Sequence, residues 1–262
     1  HMNILPNAKD VWLGIGGHFD SFTQVICEFI DNSISNFEAS KSSNKSIQIK
    51  LDKIKESIVL FSIEDTGTGI KDFEPVLRLG DKTARETPLN EHGFGLKHAL
   101  ACADPTDHTW RIYTRTKDDF HQGNYKVVSA PYCFDLKPDY FSVSKKPWAG
   151  HFNGSGTLIE FQCSTNLFDS IQKGIKGKAG FEKCLEYLKE ELGYIYAGVI
   201  KKGKATITIQ SDSLDSPLTV EAVEPDWKDY YEPGKGKVEF DLGGGTLSME
   251  YQFGEMAESN HI

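Results

Sequence analysis

The sequence lacks the marks of several protein classes. None of its five cysteines (Cys27, Cys102, Cys133, Cys163, Cys184) forms a C-x-x-C pair. Such scatter argues against a thiolate zinc site or a disulfide framework, and it fits a reducing compartment, cytoplasmic or, in a eukaryote, nuclear. No stretch approaches the roughly 20 apolar residues of a membrane span, and no charged-then-apolar leader opens the chain, so no membrane partner is expected. Basic residues are in deficit: 29 Lys and Arg stand against 38 Asp and Glu, a net charge of −9. That balance disfavours broad nucleic-acid binding by this segment. A DNA or protein client would have to be held by a local patch or by regions outside the chain. No internal repeat is apparent.

The composition that remains is that of a globular protein. The 262 residues are 39% hydrophobic and 26% charged, enough for one large domain or a medium domain plus part of another. In "DSFTQVICEFIDNSISNF" (20–37), Phe22, Val25, Ile26, Phe29 and Ile30 follow helical spacing, with Asp20 or Ser21 as N-cap. At about 100° per residue, Glu28, Asp31, Asn32 and Ser35 share an arc largely opposite that stripe. The β-branched runs "SIQIKLDKI" and "SIVLFSIED" predict two strands, the second ending in a Gly-rich turn. "HGFGLKHALACA" predicts a glycine turn opening a helix. "TWRIYTRT", "YKVVSAPYCFDL", "GTLIEFQC", "KATITIQ", "KVEFDLGG" and "TLSMEYQFG" predict strands, and "FEKCLEYLKEELGYIYAGVI" an amphipathic helix. Helix, strands, loop, helix, then strands is the order of an α+β layered sandwich rather than of βαβ repeats. A boundary is expected around residues 164–180, where "STNLFDSIQKGIKGKAG" is polar and rich in Gly and Lys.

Four stretches carry candidate chemistry. Glu28 and Asn32 stand one helical turn apart. An Asn oxygen suits Mg²⁺, and a carboxylate one turn away can orient, or take a proton from, a water attacking a phosphate. In "EDTGTGI" (64–70), Asp65 ends a strand and can accept from an exocyclic amine, while Gly67 and Gly69 allow a tight turn. In "EHGFGLKHAL" (91–100), the glycines lead into a helix N-terminus whose free N–H groups can hold phosphate, with Lys97 as added charge. It is neither a dinucleotide fingerprint nor a Walker A loop. "GSGTLIEF" (154–161) puts the Thr157 hydroxyl at the head of a strand. Alone, each has a bland reading: a wet helix face, a turn, a lone G-x-G, a hairpin.

Taken together and in this order, the four stretches resemble the motifs of the GHKL ATPases, the superfamily of DNA gyrase, the heat-shock chaperone ATPases, histidine kinases and the MutL proteins. The resemblance covers roughly residues 10–163. It implies a Bergerat-type sandwich, a mixed sheet covered by helices on one face, over residues 3–165, followed at 166–262 by a truncated, transducer-like α/β segment. It implies Glu28 as general base, Asn32 as Mg²⁺ ligand, and Asp65 on the adenine amine with Gly67, Gly69 and Ile70 beside the base. Gly93, Phe94, Gly95 and Leu96 would line the phosphates, and Thr157 would support the adenine end. Residues 71–97 would form an ATP lid. That lid is most similar to the lid of the microrchidia (MORC) proteins, which implies Lys82 and Lys97 as phosphate contacts and His92 at an aromatic position. The sequence departs from the family pattern at Asn90, where a glycine is common, and at Ser35, where relatives carry an acid. The expected activity is Mg²⁺-dependent binding and hydrolysis of ATP, with lid closure and ATP-dependent homodimerisation. The alternatives are a non-hydrolysing ATP sensor and a histidine-kinase-type phosphotransferase. Lys201, Lys202 and Lys204 lie near the junction where relatives supply a transducer lysine.

Overall fold

In the protein, described here by a computed structural model over residues 7–19, 21–73, 76, 95–164, 180–225, 234–241 and 246–253, the predicted alternation sets the frame. The helix α1 (Ala8–Ile15) starts at an Asn7 cap whose side chain accepts from the Lys9 N–H. Helix α2 (Phe22–Ser40) begins at Ser21, whose hydroxyl accepts from the Gln24 N–H, and ends at Lys41 in the left-handed conformation. Strands β1 (Ser46–Lys55) and β2 (Ile58–Asp65) pair antiparallel, and α3 (Gly95–Ala103) follows. Then come β3 (Arg111–Arg115), the short α4 (Lys117–His121), β4 (Asn124–Ser129), β5 (Asp139–Ser142) and β6 (Gly156–Ser164). Helices α5 (Phe181–Ile195) and α6 (Ala197–Lys201) precede β7 (Thr206–Gln210) and β8 (Leu218–Thr219).

The eight strands form one mixed sheet in the order β5-β4-β3-β6-β2-β1-β7-β8. Every neighbouring pair is antiparallel except β1 with β7. One sheet face carries Ile47, Ile49, Leu51, Val59, Phe61, Ile63, Ile112, Ile159 and Phe161, which share a core with Trp12 of α1, the apolar stripe of α2, Leu100 of α3 and Leu185, Leu188 and Leu192 of α5. The other face is polar at its centre, with Gln48, Lys50, Ser62 and Glu160, and holds a small apolar cluster of Tyr113, Tyr125, Val127 and Leu158. This one-sided burial is what alternating antiparallel strands produce.

Phe61 is fully buried and stacks on Phe161 at 4.7 Å between centroids, with Phe22 and Phe29 beside it. Phe61→Ala should destabilise the fold by about 3–5 kcal/mol through the lost transfer energy and the cavity left behind. Urea unfolding checks this; a change under about 1 kcal/mol would mean that the site collapses freely.

The structure departs from the sequence expectations in several places. "YKVVSAPYCFDL" is a strand only to Ser129, because Pro131 has no N–H to continue a ladder. The long helix after residue 180 breaks at Tyr196 (φ −102°, ψ 16°) into α5 and α6. The turn at 154–156 closes no local hairpin, since β6 pairs with β2 and β3. The elements α1, α4 and β5 went unpredicted; α4 is started by a reciprocal capping box between Thr116 and Asp119. The chain forms two compact units, His1–Ala222 and Val223–Ile262, and the parallel pairing of β7 with β1 builds the segment after 180 into the first. In the second unit, β9 (Gly234–Asp241) and β10 (Thr246–Phe253) form an antiparallel hairpin. Among the described residues all five cysteines are free, and no helix is long and apolar enough to cross a membrane.

Candidate functional site

The site is built along α2. Its apolar stripe faces the sheet, which turns Glu28, Asn32, Ser33 and Asn36 towards the ends of β2 and α3. Glu28 lies at the head of α3: a Cβ added to Gly95 would fall on the Glu28 carboxylate. Any other residue at 95 would displace that carboxylate. An open cavity of about 520 Å³, lined in part by Thr23, Gln24, Cys27 and Glu191, gives solvent a way to Glu28. Burial, and then the charge of Asp31, hold the Glu28 carboxyl above its ordinary range. Such a carboxylate accepts a proton more readily than an exposed one.

Asn32, one turn on, donates its Nδ2 to the Glu28 backbone carbonyl at 2.8 Å. That bond fixes the amide and leaves Oδ1 as its acceptor face, a neutral hard oxygen of the kind Mg²⁺ takes. Among the described residues no cluster of three or more His, Cys, Asp or Glu could hold a metal by itself.

Asp65 sits at the end of β2. Its Oδ1 accepts from the Gly67 N–H at 2.8 Å, and its Oδ2 from the Ser33 hydroxyl at 2.9 Å. Burial raises its pKa to about 6, opposed by these bonds and by the Thr157 N–H. Asn36 holds the turn from the other side, accepting from the Thr68 N–H and donating to the Thr68 hydroxyl, both at 2.9 Å. The Ser155 hydroxyl donates to the Gly67 carbonyl. Gly69, at φ +73°, has no room for a Cβ against the Arg115 carbonyl, so the turn needs glycine on both counts.

The register then sets a row across three strands: Asp65 on β2 faces Thr157 on β6, which faces Thr114 on β3. All three have the parity of the core residues Ile63, Ile159 and Ile112, so the row lies on the helix-covered face, one step beyond the apolar layer. Thr114 accepts from the Ile70 N–H at 2.8 Å and contacts the Thr157 hydroxyl at 3.0 Å.

Residues after 180 brace the same helix. The Tyr196 hydroxyl donates to Asp31 Oδ1 at 2.8 Å, Thr23 donates to Glu191, and Lys204 pairs with Glu38. Asp31, next to the Glu28–Asn32 pair, thus ties α2 to the residue that follows α5.

Of the expected site residues, the structure brings Glu28, Asn32 and Gly95 to one end, and Asp65, Gly67, Gly69, Ile70 and Thr157 to the other. Ser33 lies between them, about 7.5 Å along the axis from Glu28 at the rise of an α-helix. Leu96 packs against the core. Lys97 is 1% exposed and engaged by a neighbour, so a phosphate reaching it would enter the interior at the head of α3. Lys82, His92, Gly93 and Phe94, with most of the expected lid, lie outside the described residues. Sequence reasoning missed Ser33, Asn36, Thr114 and Tyr196. Asn36 carried a signal, since it lies one turn beyond Asn32 on the same face; a lone Thr in a strand carries none.

Among curated proteins none matches the chain in sequence. Among solved structures, the N-terminal domain of a DNA repair protein is 15% identical, with a TM-score of 0.47 over 89% of this chain and 64% of that one. The 43K ATPase domain of Thermus thermophilus gyrase B, in complex with an aminocoumarin, is 14% identical, with a TM-score of 0.48 over 93% of this chain and 63% of that one. The chain therefore spans less than two thirds of either. Residues 20–130, which hold α2, Asp65 and the glycine turns of 67–69, match the model of the histidine kinase-, DNA gyrase B- and HSP90-like ATPases, and over that segment the chain is similar to the GHKL superfamily.

Proposed function

We propose that this protein binds ATP with Mg²⁺ between α2 and its lid and hydrolyses it. The observation that carries the reading is the spacing along α2 of a phosphate end (Glu28 at the head of α3, with Asn32 one turn on) and a base end (Ser33 on Asp65). In this reading the Asp65 carboxylate accepts from the adenine amine, with Gly67, Gly69 and Ile70 shaping the base slot and Thr157 supporting it. The Asn32 amide oxygen holds the metal, which when bound neutralises phosphate charge. Glu28 orients the attacking water and takes its proton as the Pγ–O bond breaks. In this reading the head of α3, with Gly95, Leu96 and Lys97, lines the phosphates, and the expected lid brings Lys82, His92, Gly93 and Phe94 to them.

A lid that touches the γ-phosphate of ATP but not ADP is the differential contact needed to couple hydrolysis to closing and opening. The lid's similarity to MORC proteins supports an ATP-gated homodimer as the form of that cycle. A sensor without hydrolysis is less well supported, because Glu28 is both reachable by solvent and held where it accepts a proton. A phosphotransferase would need a phospho-accepting partner.

Steady-state phosphate release tests the reading. Release should be ATP-dependent and should fall to background when EDTA removes Mg²⁺. Sedimentation with a non-hydrolysable ATP analogue should show a dimer that ADP does not support. ATP bound tightly with no release in the longest stable form of the protein would favour the sensor.

A further inference from the structure

We propose that Thr114, which belongs to none of the sequence motifs, is a positioning residue that sets which nucleobase the site accepts, by fixing the Thr157 hydroxyl as a pure acceptor. The proposal rests on the ATP reading above and deepens it.

The argument is a count of protons. Thr114 is 0% exposed, and its Oγ1 has three polar neighbours. The Ile70 N–H, at 2.8 Å, can only donate to it. The Gly156 carbonyl, at 3.1 Å, can only accept from it. Its single proton is therefore spent on Gly156. The third contact, at 3.0 Å to Thr157 Oγ1, is then a hydrogen bond only if Thr157 is the donor. No other assignment satisfies all three contacts. The Thr157 proton is thus committed sideways, away from the Asp65 end of the row, and its oxygen offers that end only lone pairs.

Asp65, its cross-strand neighbour, is likewise acceptor-only when ionised, with its oxygens already taking the Gly67 N–H and the Ser33 hydroxyl. The Asp65 carboxylate and the Thr157 hydroxyl thus present acceptors alone to the base end of the site. Such an end takes a ligand edge that donates, such as an exocyclic amino group, and rejects one with a carbonyl at that position, which would leave buried lone pairs facing each other. Adenine carries the amino group; hypoxanthine, the same ring system with a carbonyl in its place, does not.

Replacing Thr114 with valine keeps the shape but removes the acceptor. The Thr157 hydroxyl is then free to turn and donate to a base carbonyl. The experiment is equilibrium binding of ATP and of inosine triphosphate to wild type, Thr114→Val and Thr114→Ser. Wild type should prefer ATP by about 100-fold or more, and Thr114→Val should shrink that preference by about 10-fold, mainly through tighter inosine triphosphate binding. Thr114→Ser, which keeps the hydroxyl, should behave as wild type; a role in packing alone would not be rescued this way. Should Thr114→Val fail to fold, Thr157→Val supplies the measurement: it should weaken ATP while inosine triphosphate binds as well as before or tighter, and equal effects on both would overturn the proposal. An ATP preference that survives in folded Thr114→Val overturns this inference while leaving the ATP reading standing. Wild type that binds neither nucleotide overturns both.

Discussion

Glu28→Gln should lower steady-state phosphate release by about 10²–10⁴-fold while leaving ATP affinity within a few-fold of wild type. The substitution preserves volume against Gly95, where there is no room for a larger side chain. It also preserves the tie to the metal ligand, because Asn32 donates to the backbone carbonyl of residue 28 and not to its carboxylate. Only the capacity to take a proton from water is lost. Stability should not fall, since the amide removes a charge that burial and Asp31 both disfavour. A phosphate-release assay run beside nucleotide binding and a thermal melt separates the three effects. Release within about threefold of wild type would remove Glu28 from the role of base, because general-base losses are far larger.

Asp65→Asn should act at the opposite end, on binding. An acceptor facing an amino group is replaced by an amide that presents a donor or at best a weaker acceptor. ATP affinity should fall by about 10–150-fold, the size of a lost hydrogen bond to a charged group. The fold should survive, since the amide oxygen can still accept from the Gly67 N–H and its nitrogen can donate to the Ser33 hydroxyl.

The pH dependence has a definite sign. The folded pKa of Asp65 is raised from 3.8 to about 6, first by burial. Folding therefore favours the protonated form. Its contribution to stability is complete below about 4 and is lost as pH rises towards 6, a change on the order of 2–3 kcal/mol. Asp65→Asn should accordingly melt at or above the wild-type temperature at pH 7.5, with that advantage shrinking by pH 4. A bound amine would stabilise the carboxylate and pull its pKa down, so nucleotide binding near pH 6 should release protons and weaken below that pH. Calorimetry in buffers of different ionisation enthalpy reads that release. A heat independent of buffer at pH 6 would separate Asp65 from the ligand.

Much of the frame was legible in one dimension because its signals are local. The helical stripe of α2 and the Ser21 cap name a helix without any partner being known. Alternation in β1 and β2 marks the covered face, and glycines 67 and 69 mark a turn that a side chain would obstruct. The elements that went unpredicted, such as β5 and the five-residue α4, are short and carry too few periodic positions to declare themselves.

By itself, then, the sequence determined the α+β order, the apolar layers and the family resemblance over residues 20–130, and with them which ends of α2, β2 and α3 hold polar residues. Tertiary structure decided what those residues face. Register placed Asp65, Thr157 and Thr114 in one row, although Asp65 lies far along the chain from its two neighbours. The break after α5 put the Tyr196 hydroxyl on Asp31 and made that carboxylate a brace beside the Glu28–Asn32 pair. The parallel pairing of β7 with β1 drew the segment after 180 into the first unit. The reason is physical: propensity, capping and periodicity act between residues a few positions apart. Hydrogen-bond polarity at a buried site depends on every neighbour that folding brings within about 3 Å, and no local pattern encodes where one strand's end will meet another's.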